Sequence, residues 1–104
     1  MIVVTTPDVP GKKITKVLGL VRGNTIRARH IGRDISALFK NIVGGEVSDY
    51  TKMMSEAREQ AIDRLIEDAE LLGANAVVAV RFSTTSMMQG AAELMIYGTA
   101  VVIE

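Results

Sequence analysis

Few residues in this chain have chemistry within reach. The single histidine, His30, is followed four positions on by Asp34, a spacing that puts both on one face of a helix. Zinc, copper and their neighbours require several Cys, His or carboxylate donors converging on one point, and the chain has one His and no Cys. One copy therefore cannot build a His/Cys centre; around the axis of a ring, His30 and Asp34 could contribute once per subunit. Arg27, Arg29 and Arg33 crowd the same segment and repel a cation, so a surface histidine is preferred over a metal ligand. Met53-Met54 and Met87-Met88 offer soft thioether donors suited to Cu(I), but methionine also fills irregular apolar gaps, and packing is preferred here too. Hydrolytic chemistry fares no better. A triad needs a base beside a nucleophile, and no Gly-x-Ser-x-Gly elbow surrounds any serine.

The arginines are the better candidates. From Val9 to Arg33 the chain carries Lys12, Lys13, Lys16, Arg22, Arg27, Arg29 and Arg33 with no acid, whereas the segment after Ser48 holds most of the carboxylates. Such a basic stretch either solvates the protein and faces its acidic partner, or binds an anion through Arg27, Arg29 and Arg33. Nucleic acid is not the expected anion. The 12 basic and 12 acidic side chains cancel, and no aromatic platform is interleaved with the basic stretch. Arg58 is the residue whose position contradicts its type: on a helical wheel it falls between Leu65 and Ala69, inside an apolar arc. Either its stem snorkels to solvent, or its guanidinium is buried and partnered by a carboxylate such as Glu93 or Asp34, by strand-end carbonyls, or by a bound anion. The wheel leaves both open.

The elements that must position these residues are written more plainly. Ala57, Ala61, Met54, Leu72, Leu65, Ala69, Ile62 and Ile66 share about half of a helix circumference, with Glu56, Glu59, Gln60, Asp63, Glu67 and Glu70 opposite. Ser48 and Asp49 suit the start of that helix and Gly73 its left-handed stop. Ile31, Ile35, Leu38, Phe39 and Ile42 recur at the spacing of a second, shorter amphipathic helix ending at Gly44-Gly45. This double glycine lacks the lysine and hydroxyl of a phosphate loop. Ile2 to Thr6 predict a short strand before Pro7, and Lys13 to Val21 a strand with Ile14, Leu18 and Leu20 on one side. Gly19 suggests a bulge, and Gly23-Asn24 a hairpin turn or, preferably, a bend before continuation through Thr25 and Ile26. Ala76 to Val80, running on through Arg81 and Phe82 to Ser86, and Leu94 to Ile103 are nearly unbroken apolar runs predicted to pair antiparallel across Gln89-Gly90.

One domain is expected from 104 residues, and no run approaches a membrane span, so a soluble cytoplasmic protein follows. The predicted fold is α+β: a small antiparallel sheet packed on one long helix, plus a shorter helix. Cover is the open question. If the short helix does not reach the second sheet face, that face stays bare and a homo-oligomer results; otherwise the helices sandwich the sheet in three layers.

Thr5-Thr6, Gly19-Leu20-Val21-Arg22-Gly23, Gly44-Gly45-Glu46 before Tyr50, Ala57-Arg58 with Ala61, Gly73-Ala74-Asn75-Ala76-Val77 and Tyr97-Gly98-Thr99-Ala100-Val101 together resemble the YbjQ family of small bacterial and archaeal proteins. The resemblance spans essentially the whole chain, and because it includes the Ala57-Arg58 pair it implies the buried, hydrogen-bonded arrangement of Arg58. It implies a dodecin-like α+β subunit assembling with itself into a ring, a pentamer, and it brings a heavy-metal-binding label, the sole source of a cofactor expectation. Three functions remain in order of preference: a non-enzymatic ring-forming protein with a structural or ligand-binding role, a metal-binding protein, and an enzyme whose site lies between subunits.

Overall fold

Four strands and one helix make up the described residues, 1–28, 48–88 and 90–104, of this computed structural model. The strands are β1 (Ile2–Val3), β2 (Ile14–Ala28), β3 (Ala76–Met88) and β4 (Ala91–Ile103), and the helix is α1 (Ser48–Leu71). They form an α+β fold with one sheet in the order β1-β3-β4-β2. The β2–β4 and β3–β4 pairs are antiparallel as expected, but β1 runs parallel to β3, so the sheet is mixed. A parallel neighbour is available because α1 carries the chain back to the end where β1 begins. The expected shorter helix over Ile31 to Ile42 lies outside the described residues.

α1 forms where its apolar arc requires. Ala57, Ala61, Leu65 and Ala69, four residues apart, are buried, and Met54 and Ile62 pack half-buried against the same core. Its C-terminus is a full Schellman motif. Gly73 donates to Glu70 O and Ala74 to Ala69 O, with Gly73 at φ 84°, so two otherwise orphaned carbonyls are satisfied. The alanine stripe then lets the helix lie close on the sheet, principally on β2, less on β4 and scarcely on β3.

β2 continues through Gly23-Asn24 into Thr25 and Ile26, as the preferred reading has it, but without the bend, and the alternative hairpin turn does not occur. The glycine has another use. A Cβ at Gly23 would run into the Ala61 carbonyl oxygen and stand 2.6 Å from Leu65 N, so the bare backbone is what lets α1 descend onto the strand. The bulge suggested by Gly19 is present: the register slips between Val17 and Gly19, and Gly19 has φ 122°. It has a consequence that strict alternation misses. Leu18 joins Val21 in the core under α1, while Leu20 turns to the other face and is exposed.

A second bulge has no glycine of its own. Val78 pairs with Thr99 and Arg81 with Tyr97, leaving Ala79 and Val80 opposite Gly98, and Ala79 adopts φ 54°. That left-handed conformation costs an alanine about 1 kcal/mol or more. The surroundings hold it there: Ala79 N–H donates to Thr6 O at 2.8 Å, Val80 N–H to Val4 O at 3.1 Å, and Arg81 Nη1 bridges Thr5 O and Val80 O. These bonds redirect Thr5 and Thr6 from the expected strand, which shortens β1 to two residues. Below the bulge Ala76, Val78, Val101 and Ile103 form a smaller core on the face away from α1, capped by Val4, Val9 and Ile14.

Candidate functional site

The seam between α1 and β2 concentrates the polar contacts. Because Val21, Gly23, Thr25 and Arg27 alternate onto the helix side of β2, each meets α1 directly. Thr25, 2 % exposed, donates its hydroxyl to Ala57 O at 3.1 Å. One pleat further along, Arg27 Nη2 donates to Gln60 Oε1 at 2.7 Å. On the outer edge of the strand, Arg64 Nη1 donates to Asn24 O at 2.6 Å, and Arg22 N–H donates to Asp68 Oδ2 at 3.2 Å. An edge strand presents unpaired backbone groups, and these two side chains occupy part of that row.

Arg27 is the anomalous member of the seam. Its Nε is buried and has no hydrogen-bond partner. Its cross-strand neighbour is Ala92, itself buried, which offers no acceptor. An orphaned buried donor costs about 1–3 kcal/mol, and more on a charged group, so the site is chemically unfinished: a guanidinium with a neutral amide on one nitrogen and nothing on another.

The other candidates separate. Arg58 is exposed and, among the described residues, donates only to Ser55 Oγ, at 3.2 Å, one turn back on its own helix; the expected burial is corrected. The wheel gives azimuth but not position along the axis. Arg58 has the azimuth of Leu65 and Ala69, yet it sits on the half of α1 that lies along β2, as the Ala57 and Gln60 contacts show. The sheet residues to that side, Phe82, Thr84 and Ser86 on β3, are exposed rather than covered. Glu93, one of the partners expected for Arg58, instead accepts from Asn24 Nδ2 at 3.5 Å on the opposite sheet face. Arg27 and Arg58 flank α1 on different sides, about 160° apart around the helix from Gln60 to Arg58, and are not brought together. Arg29, Arg33, His30 and Asp34 lie outside the described residues.

Among the described residues no three His, Cys, Asp or Glu side chains converge. The carboxylates of α1 are spread along its wet face or tied to backbone, as Asp68 is, so this part of the chain does not fit a heavy-metal centre by itself. Gln60, Arg64 and Asp68 are seam residues that the sequence reading assigned to no site, and Gly23 was read there only as a turn or bend; the available signals were polar positions beside an alanine stripe and a glycine within a strand.

A family model described as "Putative heavy-metal-binding", that of the YbjQ family, matches residues 1–104. The chain belongs to the YbjQ family. Relatives within it include a UPF0145 protein of Clostridioides difficile, 64% identical over 104 residues that make up 100% of this chain and 93% of the relative. A UPF0145 protein of Methanosarcina acetivorans is 56% identical over 99% of this chain and 97% of its own length, and one of Pyrococcus furiosus 59% identical over 100% and 91%. None of these relatives is named for an activity. A solved structure of a protein of unknown function from the DUF74 family, from Pediococcus pentosaceus, superposes with a TM-score of 0.62 at 17% identity, covering 100% of this chain and 98% of that one. At that identity the likeness speaks for the YbjQ fold alone.

Proposed function

We propose that this YbjQ protein is a non-enzymatic cytoplasmic subunit that assembles with copies of itself into a closed ring, of five as the family resemblance implies, with a structural or ligand-binding role. The observation that carries this is uncovered apolar sheet. α1 lies over β2 and β4, so Phe82 on β3 is left 49% exposed beside it; on the other face Leu20 is 69%, Ile26 57% and Tyr97 37% exposed. Monomers seldom leave apolar patches of this kind on both faces of a sheet. Charge favours a second copy as the cover. The far face carries Arg22 and Arg81 on either side of Tyr97, whereas the wet face of α1 carries Glu56, Glu59, Asp63, Glu67 and Glu70. No helix of the described residues is long and apolar enough to cross a membrane. Sedimentation equilibrium at micromolar concentration should give a closed oligomer several times the 11.2 kDa chain. A clean monomer there rejects the assembly.

A further inference from the structure

We infer that the α1–β2 seam binds a small oxyanion, a phosphate or carboxylate group, on Arg27. The argument starts from an imbalance. Arg27 is half-buried in the wall between helix and strand, and its guanidinium has five N–H donors, of which Nη2 reaches Gln60 Oε1 at 2.7 Å while Nε is buried with no partner. Gln60 is neutral, so the positive charge has no counter-charge within hydrogen-bond reach among the described residues. The described neighbours supply none. Ala92 lies opposite across the strand pair and Ala57 and Ala61 line the helix, all buried and all without side-chain polar atoms.

The chemistry of the vacant donors selects the ligand. A guanidinium presents its N–H groups in a planar fork that matches two oxygens of a carboxylate or phosphate, and a charge-assisted pair in a low-dielectric seam is stronger than the same pair in water. A bulky ligand is excluded, because α1 is pinned to β2 next door by the Thr25–Ala57 bond and by the close approach at Gly23. The oxygen-bearing end of a small anion, or of a larger molecule's terminal phosphate or carboxylate, is what the seam accommodates. This site is built within one chain and stands without the ring.

The test uses the intact chain. Thermal unfolding is followed with increasing sodium phosphate, sodium acetate and, at matched ionic strength, sodium chloride, for the parent and for Arg27→Met. Phosphate stabilises most proteins by exclusion, so the informative quantity is the difference between the two proteins. The parent should gain a saturable rise in Tm with one of the oxyanions, with a midpoint at about millimolar concentration, that Arg27→Met lacks. The phosphate and acetate arms identify which oxyanion the fork prefers. In parallel, the Arg27 Nε–H resonance of the parent should shift saturably with the same midpoint, a readout that survives even if Arg27→Met does not fold. Equal Tm responses in both proteins, or an unmoved Nε–H signal, overturns the inference. So does loss of assembly in Arg27→Met with no oxyanion effect on the parent, which would assign the partner to a carboxylate of a second copy. A monomeric parent with a saturable, Arg27-dependent response would reject the ring and keep the anion site.

Discussion

Replacing Gly23 by alanine tests the close approach of α1 to β2. Gly23 is in a regular strand with no left-handed requirement, so on backbone grounds alone the change should help by about 0.4–1 kcal/mol through the unfolded chain. The structure predicts the opposite sign. The new Cβ would overlap the Ala61 carbonyl oxygen, stand 2.6 Å from Leu65 N and 3.0 Å from Arg64 Cβ, and the first two are backbone atoms that cannot rotate away. α1 must lift by roughly an ångström, and overpacking of this kind costs about 1–3 kcal/mol. Lifting also stretches the buried Thr25–Ala57 bond and the Arg64–Asn24 bond, and a buried hydroxyl left without its acceptor costs about 1–3 kcal/mol more. A net loss of about 3 kcal/mol follows, a large part of the total stability of a domain this size. Urea unfolding followed by circular dichroism, at several protein concentrations to separate folding from assembly, measures it. A variant within about 0.5 kcal/mol of the parent, or more stable than it, would refute the claim that helix and strand touch backbone to backbone at this point.

Ala79→Gly should raise stability by about 0.5–1 kcal/mol, because the relief of left-handed strain exceeds the added freedom of the unfolded chain; a shift in urea midpoint reads it, and a loss above 1 kcal/mol would show that the Ala79 methyl packs usefully in the bulge. Arg58→Ala should change the folding stability of the dissociated chain by no more than about 0.5 kcal/mol, since Arg58 is exposed and its one bond among the described residues is to Ser55 on the same helix. A concentration-independent loss of several kcal/mol would restore the buried arginine that the wheel suggested.

Much of the fold could be read from local pattern, and the exceptions share a cause. The stop at Gly73 and the alanine stripe from Ala57 to Ala69 are consequences of residues within one or two turns of each other, so periodicity and capping chemistry found them. Gly23 was misread because glycine next to asparagine signals a turn in isolation, whereas here the missing Cβ answers a helix almost forty residues away. The Leu18 and Leu20 assignments failed together because one bulge shifts the alternation by a residue, and the Ala79 bulge left no glycine at the strained position to announce it. At the site, the basic stretch was legible and Arg27 was among its members. That Arg27 has a buried, orphaned nitrogen was not, since it depends on what lies across β4 and beneath α1.

The same geometry bears on how copies would meet in the proposed ring. β2 is a long edge strand, and a bare one would invite strand-to-strand pairing between copies. Its edge is blunted at both ends of the seam: register slips after Ile14 and after Val17 bend the first half, and Asp68 and Arg64 occupy Arg22 N–H and Asn24 O in the second. At the other edge, β1 offers only two residues. The faces have no such protection, with Phe82 open beside α1 and Leu20, Ile26 and Tyr97 open on the reverse. Association through faces therefore removes apolar surface that edge pairing would leave wet, and it brings the acids of one α1 within reach of Arg22 and Arg81 of the next copy. A ring built this way should weaken with added salt in proportion to those pairs and yet persist on its apolar contacts, whereas an edge-paired assembly, held by backbone hydrogen bonds, should be nearly indifferent to salt.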